Sequence, residues 1–355
     1  MQRTFLALLA LVASARVQVS FAAAGFAVQV TVGGAAARTD VQSLTSVTMD
    51  ICLAKQNFPC TDPDLLALTS HLGGGASLLR IGGSDQNSFY YDMKSTRSGT
   101  FSAKTGEKCC THPGSCGGCA RDCTMGAPYW KSIHDFAHAS GHRLMFGLVP
   151  DVDQATGLIS HSVKAQLPTF AYTFGNEIDS SKVTDGYVAM RKLLDSTTFP
   201  SGQKPKLAGP DAYVQRNYEF TLDEALAGKD TTIASHLSFM SDFSAKAGST
   251  LDAFSWHTYD YETPMLGMVD HQDLTVNPLM ARLWSTRHLD FVVRLQGNVT
   301  DIAQRTAAAG EVWISESDSI CHQGVNGVTN AYLNSLWLVN RLGIMANANV
   351  SVMAR

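Results

Sequence analysis

Eight short runs of strand-like composition recur along the chain, with helical patterns between most of them. They cover Leu44–Ile51, Leu78–Gly82, Arg143–Val149, Phe170–Phe174, Lys206–Gly209, Ala253–His257, Val312–Ser315 and Val350–Met353. Parallel strands need a long crossover between them, and a helix is the usual one. The intervening stretches carry apolar residues at helical spacing: Leu65, Leu66, Leu68 and Leu72 behind a capping Asp62, then Tyr129, Ile133, Phe136 and Ala137. Val188, Met190, Leu193 and Leu194 make a third face, and Leu336, Leu338, Val339, Leu342 and Ile344 a fourth. A strand–helix unit repeated to eight strands predicts an α/β fold, a (β/α)8 TIM barrel. The competing doubly wound sheet wants a Gly-rich phosphate turn after its first strand, and none follows Leu44–Ile51.

Two segments interrupt the alternation. Phe26–Val32 alternates apolar and polar residues like a half-exposed strand. It precedes the first barrel strand and has no partner in the repeat. Lys94–Ala127 is a long insertion between the second strand and its helix, with too few apolar residues for a core of its own. The expected organisation is a signal peptide over residues 1–24, an accessory-domain strand over 25–36, and the barrel over 37–355 with its Cys-rich insertion at 94–127.

The leader reading rests on Arg3, the apolar stretch from Phe5 to Ala13, and small-residue cleavage patterns at Ala13-Ser14-Ala15 or Phe21-Ala22-Ala23-Ala24. That stretch is too short to span a bilayer, which takes about 20 apolar residues. No transmembrane segment is expected. The protein is expected to be secreted, either extracellular or in a lysosome- or vacuole-like compartment. Secretion lets the eight cysteines form disulfides. Cys52 and Cys60 are close enough in sequence to pair, and Cys109, Cys110, Cys116, Cys119 and Cys123 staple the insertion. A zinc site from His112, Cys116 and Cys119 lacks the repeated paired-cysteine spacing, so no metal or cofactor is expected. Asn298-Val-Thr and Asn349-Val-Ser are compatible with glycosylation. A net charge of -4 gives no electrostatic case for a nucleic-acid partner.

Glu177 and Glu316 are the candidate catalytic residues. Each closes a strand-like run, in Phe174-Gly-Asn-Glu177 and Val312-Trp-Ile-Ser-Glu316. The carboxyl end of a barrel strand is where this architecture puts its chemistry. Two carboxyl groups across one cleft are the minimum needed to break a glycosidic bond, one giving a proton and the other ionised. For a retaining enzyme they should stand about 5–5.5 Å apart. His257, beside Trp256, reads as a core or rim histidine with at most a substrate-positioning role. Arg80 is expected in a buried ion pair that lowers a neighbouring carboxyl. Trp256 and Trp313 read as barrel packing.

Further blocks occur in a fixed order: Ser46-Val-Thr-Met-Asp50, Leu79-Arg-Ile-Gly-Gly83, Phe146-Gly-Leu148, Leu207-Ala-Gly-Pro-Asp211 and Ser255-Trp-His-Thr-Tyr259. With the two glutamate motifs, they resemble the heparanase family, glycoside hydrolase family 79 of retaining β-glucuronidases. Cys123-Thr-Met followed by Trp130 resembles the plant members most. The resemblance implies that Glu177 is the acid/base and Glu316 the nucleophile. It implies substrate contacts from Asp50, Asn176, Arg216, His257 and Tyr259, with Tyr259 also able to orient Glu316. It implies a barrel that stops here after its eighth strand. Phe26–Val32 would then belong to a C-terminal β-sandwich outside this sequence. Asn176-Glu-Ile-Asp179 departs from the family's Asn-Glu-Pro-Asn by losing a rigidifying proline.

The implied function is a secreted retaining glycosidase that cleaves β-glucuronide linkages. Its partner would be a glucuronic-acid-containing glycan or proteoglycan, more weakly charged than heparin given the low basic content. A retaining glycosidase for another sugar and a catalytically silent glycan-binding relative are the alternatives.

Overall fold

The computed structural model describes residues 15–22, 25–32, 44–72, 75–110, 120–200, 202–214, 224–225, 227–261, 286–305, 310–321 and 329–355. Strands β1 (Ala15–Ala22) and β2 (Gly25–Val32) form an antiparallel pair of their own. The orphan strand of the sequence thus finds its partner in the segment read as a leader. The eight barrel strands are β3 (Thr45–Asp50), β4 (Leu78–Gly82), β8 (Arg143–Leu148), β9 (Ala171–Phe174), β10 (Lys206–Tyr213), β11 (Ala253–Tyr261), β12 (Val312–Ile320) and β13 (Val350–Ala354). They pair in parallel in chain order, and β13 closes onto β3. The fold is therefore a closed (β/α)8-type barrel, as expected, and not a doubly wound sheet.

Side-chain alternation gives the barrel two apolar layers. One set of alternate residues packs together inside its floor: Leu78, Met145, Ala171, Ala208, Ala253, Trp313 and Val352. Three of these are alanines, so one large side chain must fill the space they leave. Trp313 does so, 1% exposed and stacked on Phe170 at 6.2 Å between ring centroids. The opposite strand faces, with Leu79, Ile81, Phe146, Tyr172 and Ile314, pack against Trp130, Leu158, Tyr187 and Phe243 of the surrounding helices. Asp62, Asp151 and Asp230 start three of those helices by accepting their first free backbone N–H groups.

The insertion forms more structure than its composition promises. Phe89–Asp92 (β5), Thr100–Ser102 (β6) and Cys123–Gly126 (β7) make a three-stranded sheet, with Cys109 bonded to Cys123. Cys109, Cys123 and Met125 join the main core, as do Phe89 and Tyr91 just before the insertion, so the insertion borrows the barrel's hydrophobic interior. The Cys52–Cys60 pairing is overturned. Cys52 is disulfide-bonded, whereas Cys60 is a buried free thiol. Burial raises the Cys60 pKa, against the hydrogen bonds that it makes with Ser132 and Tyr129. Cys116, Cys119 and His112 lie outside the described residues.

Replacing Trp313 by Ala should empty the floor layer and destabilise the protein by about 3–5 kcal/mol. Urea unfolding of the two proteins measures this. A loss under about 1 kcal/mol would mean that the floor can collapse around the gap.

Candidate active site

All the polar chemistry sits at the carboxyl ends of the barrel strands, above the apolar floor. Arg80 lies two residues beyond Leu78 on β4 and faces the same way. It is fully buried, and polar residues take up its guanidinium. Nη1 donates to Glu316 Oε2 at 2.8 Å and to Thr48 Oγ1 at 3.2 Å. Nη2 donates to Asn176 Oδ1 at 3.0 Å and to Asp211 Oδ2 at 3.1 Å. Gly82 leaves it room: a Cβ there would stand 2.7 Å from Arg80 Cζ.

Two breaks in strand register aim the acidic groups inward. Between β10 and β11, Pro210 opposes Ser255 but Ala212 opposes Trp256, so Asp211 is an extra residue, at φ 53°. Between β11 and β12, Trp256 opposes Ile314 but His257 opposes Glu316. Ser315 is the extra residue there, which lets both Ser315 and Glu316 reach the barrel interior. An added residue at a strand mouth turns the next side chain to the other face. β12 runs on to Ile320 and β10 continues past Pro210, both further than their apolar runs.

Glu177 follows β9 in a turn where Gly175 (φ 77°) and Glu177 itself (φ 54°) adopt left-handed conformations. Its N–H donates to the Asp211 carbonyl at 3.0 Å. Asn87 holds Asn176 from below, accepting from its N–H and donating to its carbonyl, both at 2.9 Å. His257 is 0% exposed and joins the two glutamates. Its Nδ1 is 2.8 Å from Glu177 Oε1 and 3.9 Å from Glu316 Oε2, and its Nε2 is 3.6 Å from Asp211 Oδ2. Tyr259 donates its hydroxyl to the other Glu316 oxygen, Oε1. One oxygen of each glutamate and one ring nitrogen of His257 all lie within 4.8 Å of one another. A divalent cation there would have to displace the Arg80 and Tyr259 donors from Glu316 and the proton from His257.

The structure places the sequence candidates unequally. Glu177, Glu316, Asn176, His257 and Tyr259 meet at one mouth. Asp50 ends β3 and caps the helix Ile51–Lys55 by accepting from Cys52 N–H at 2.8 Å. Arg216 lies outside the described residues. His257 has no exposed surface for a substrate and works on its neighbours. Trp256 and Trp313 are both buried. Asp211, Ser255 and Ser315 were missed as site residues. Asp211 was visible only as the acid after a Gly-Pro pair, which marks a turn and conceals a strand bulge.

The ionisation of this cluster follows from its pairing. Burial alone raises a carboxyl and lowers an imidazole. At Glu316 burial is outweighed by His257 and Arg80, so its pKa is lowered. At Asp211 burial is outweighed by Arg80, then His257, and the group is held far below the carboxylate range. His257 is pushed up to about 9, burial yielding to the charges of Glu316 and Asp211. Asp50 goes the other way, raised to about 6 by desolvation, with Glu316 and Asp85 adding to it.

Each shift is also a dependence of stability on pH. The lowered Asp211 and Glu316 stabilise the fold above the unfolded carboxyl values of about 4, and lose that as pH falls. The raised His257 stabilises it fully below about pH 6.5 and loses this as pH rises through about 9. Urea unfolding midpoints should therefore decline between these two pH values, and His257→Gln should flatten the decline. An unchanged slope in the variant would refute the charged imidazole.

Comparison with known proteins identifies the family and the fold. The family model for "Glycosyl hydrolase family 79, N-terminal domain" matches residues 149–343. Heparanase of Gallus gallus is 23% identical over 243 residues, which is 63% of this chain and 40% of that protein. Heparanase of Mus musculus is 21% identical over 242 residues, covering 63% of this chain and 39% of that protein. The matched stretch is thus less than half the length of either relative. Among solved structures, a 4-O-α-L-rhamnosyl-β-D-glucuronidase from Fusarium oxysporum aligns over 88% of this chain and 62% of its own, with TM-score 0.57 and 14% identity. A GH51 arabinofuranosidase from Xanthomonas axonopodis pv. citri aligns over 88% and 66%, with TM-score 0.55 and 10% identity. At such identities the two structures speak for the shared fold alone.

Proposed function

We propose, for a chain that belongs to glycosyl hydrolase family 79, that it is a secreted retaining glycosidase cleaving β-glucuronide linkages in glycans. The observation that carries the reading is the approach of Glu177 and Glu316, with one oxygen of each within 4.8 Å. That closeness suits attack by a protein carboxylate and leaves little room for the water that an inverting pair must hold between them. The glucuronide preference is supported by the family and by the relatives named heparanase.

Glu316 is the proposed nucleophile. The charges of Arg80 and His257 favour its ionised form, and Tyr259 and Arg80 each fix one of its oxygens. Its attack on the anomeric carbon forms a glycosyl ester while the bond to the leaving oxygen breaks. Glu177 gives its proton to that oxygen. In the second half Glu177 takes a proton from water, the water oxygen attacks the same carbon, and Glu316 leaves as a carboxylate. Asn176 has its Oδ1 committed to Arg80, so its amide N–H2 is the end available to a sugar hydroxyl. Asp50 and Arg216 are assigned to substrate binding with it. Secretion rests on the leader pattern in residues 1–24. Among the described residues no helix is long and apolar enough to cross a membrane.

An aryl β-glucuronide should be hydrolysed with the β-anomer of glucuronic acid appearing first in a proton NMR time course. Glu316→Gln should lose at least about 10³-fold in kcat/KM with any leaving group, as expected of a missing nucleophile. Turnover of an aryl glucoside but not the glucuronide would replace the sugar. An α-anomer appearing first would replace the mechanism. Binding without turnover in the unmutated protein would make this a glycan-binding relative.

A further inference from the structure

We propose that Asp211 is a positioning residue for the acid/base: it seats Glu177 with its backbone carbonyl and, through His257, helps hold the proton that Glu177 delivers. The inference rests on Glu177 being the acid/base. Its own support is geometric.

Asp211 is 0% exposed and every oxygen on it is engaged. Oδ1 accepts from the hydroxyls of Ser255 and Ser315, both at 2.6 Å. Oδ2 accepts from Arg80 and faces His257 Nε2. The carbonyl oxygen accepts from Glu177 N–H. Three other strands thus converge on one carboxylate, with Arg80 from β4, Ser255 and His257 from β11, and Ser315 from β12. Asp211 and Glu177 both have positive φ, 53° and 54°, and their backbones are bonded to each other. A non-glycine residue in that region is uncommon and persists where its surroundings over-determine it. Here the bulge and the four side-chain contacts do so.

The chain of contacts runs Asp211 Oδ2, His257 Nε2, His257 Nδ1, Glu177 Oε1. The Asp211 charge acts on His257 Nε2 across 3.6 Å, against the Arg80 N–H that reaches the same nitrogen, and Nδ1 faces Glu177. The other charges acting on His257 come from Glu316 on β12 and Arg80 on β4, whose Nη2 is 3.3 Å from Nε2. Tyr259 on its own strand faces Glu316, Asp50 on β3 adds charge beside Glu316, and Tyr187 lies near Asp211 from the helix Ser181–Ser196. The proton count closes over a cycle. The Glu177–His257 unit loses one proton to the leaving oxygen and regains one from the attacking water. Removing the Asp211 charge makes that unit give up its proton at lower pH.

The test is kcat/KM against pH for Asp211→Asn, with a phenyl and a 2,4-dinitrophenyl β-glucuronide. The dinitrophenolate leaves without a proton, so only the phenyl substrate needs the acid for bond cleavage. The expected result is an alkaline limb moved down by about one unit and a loss about tenfold or more greater for the phenyl substrate. Equal losses on both substrates with an unmoved limb would overturn the proposal, because a structural prop behaves that way. Should Asp211→Asn fail to fold, Ser255→Ala combined with Ser315→Ala keeps the charge and removes its anchors. That variant should show the same preferential loss on the phenyl substrate, and its absence would equally overturn the proposal. An unmutated protein inert toward both substrates would instead remove the acid/base assignment, and this inference with it.

Discussion

A single buried guanidinium organises the mouth of this barrel. Arg80 contacts side chains from four other strands and from the turn after β9: Thr48, Asn176, Asp211, His257 and Glu316. A fully buried cation is costly unless charge and hydrogen bonds surround it. Asp211 and Glu316 supply the charge. They in turn would be costly without Arg80. The catalytic candidates are therefore part of the arrangement that makes the interior polar layer tolerable, and the same contacts that hold Glu316 in place also hold it ionised. Arginine suits this role because its planar fork meets several acceptors at once and does not titrate in the working range.

Below this layer the barrel is ordinary apolar packing, and the division between the two explains the geometry. Leu78 and Arg80 share one face of β4, as Ala253, Ser255, His257 and Tyr259 share one face of β11. The chain climbs from floor to mouth in steps of two residues, from carbon to hydroxyl to titratable group. Strict alternation would then leave Asp211 and Glu316 facing outward. The two register breaks correct this, each adding a residue just before or at the acid that must turn inward. Strain and irregularity are concentrated where the chemistry is, as is usual for strand mouths that carry function.

Much of this was legible in the sequence. All eight barrel strands appear as apolar runs because a strand covered on both faces has to be apolar along its length, and Leu78–Gly82 matches to the residue. The ends misjudged most are those at the mouth, where β10, β11 and β12 all run further than their apolar runs. Pro210 and Asp211 look like a strand terminator, and the polar run Ser315–Ser319 looks like a loop, because the pattern of alternation fails where a residue is inserted. Asp211 was hidden for the same reason. His257 was assigned to the substrate, since a sequence does not show that both faces of an imidazole will be covered. The Cys52–Cys60 pairing failed because closeness along the chain says nothing of direction: Cys60 points to Tyr129 and Ser132.

Retaining catalysis requires two like carboxyl groups to live in unlike states a few ångströms apart, with the buried guanidinium of Arg80 bonded to one of them. The ionisation of Glu316 tests this most directly. Carbon-13 NMR of the protein labelled at glutamate side-chain carboxyls, with the Glu316 signal assigned by its loss in Glu316→Gln, follows that group through acid titration. A Glu316 signal that stays ionised down to pH values below the ordinary glutamate range is the predicted result. A signal that titrates at or above the ordinary value would show that Arg80 and His257 do not govern it, and the account would fall with them.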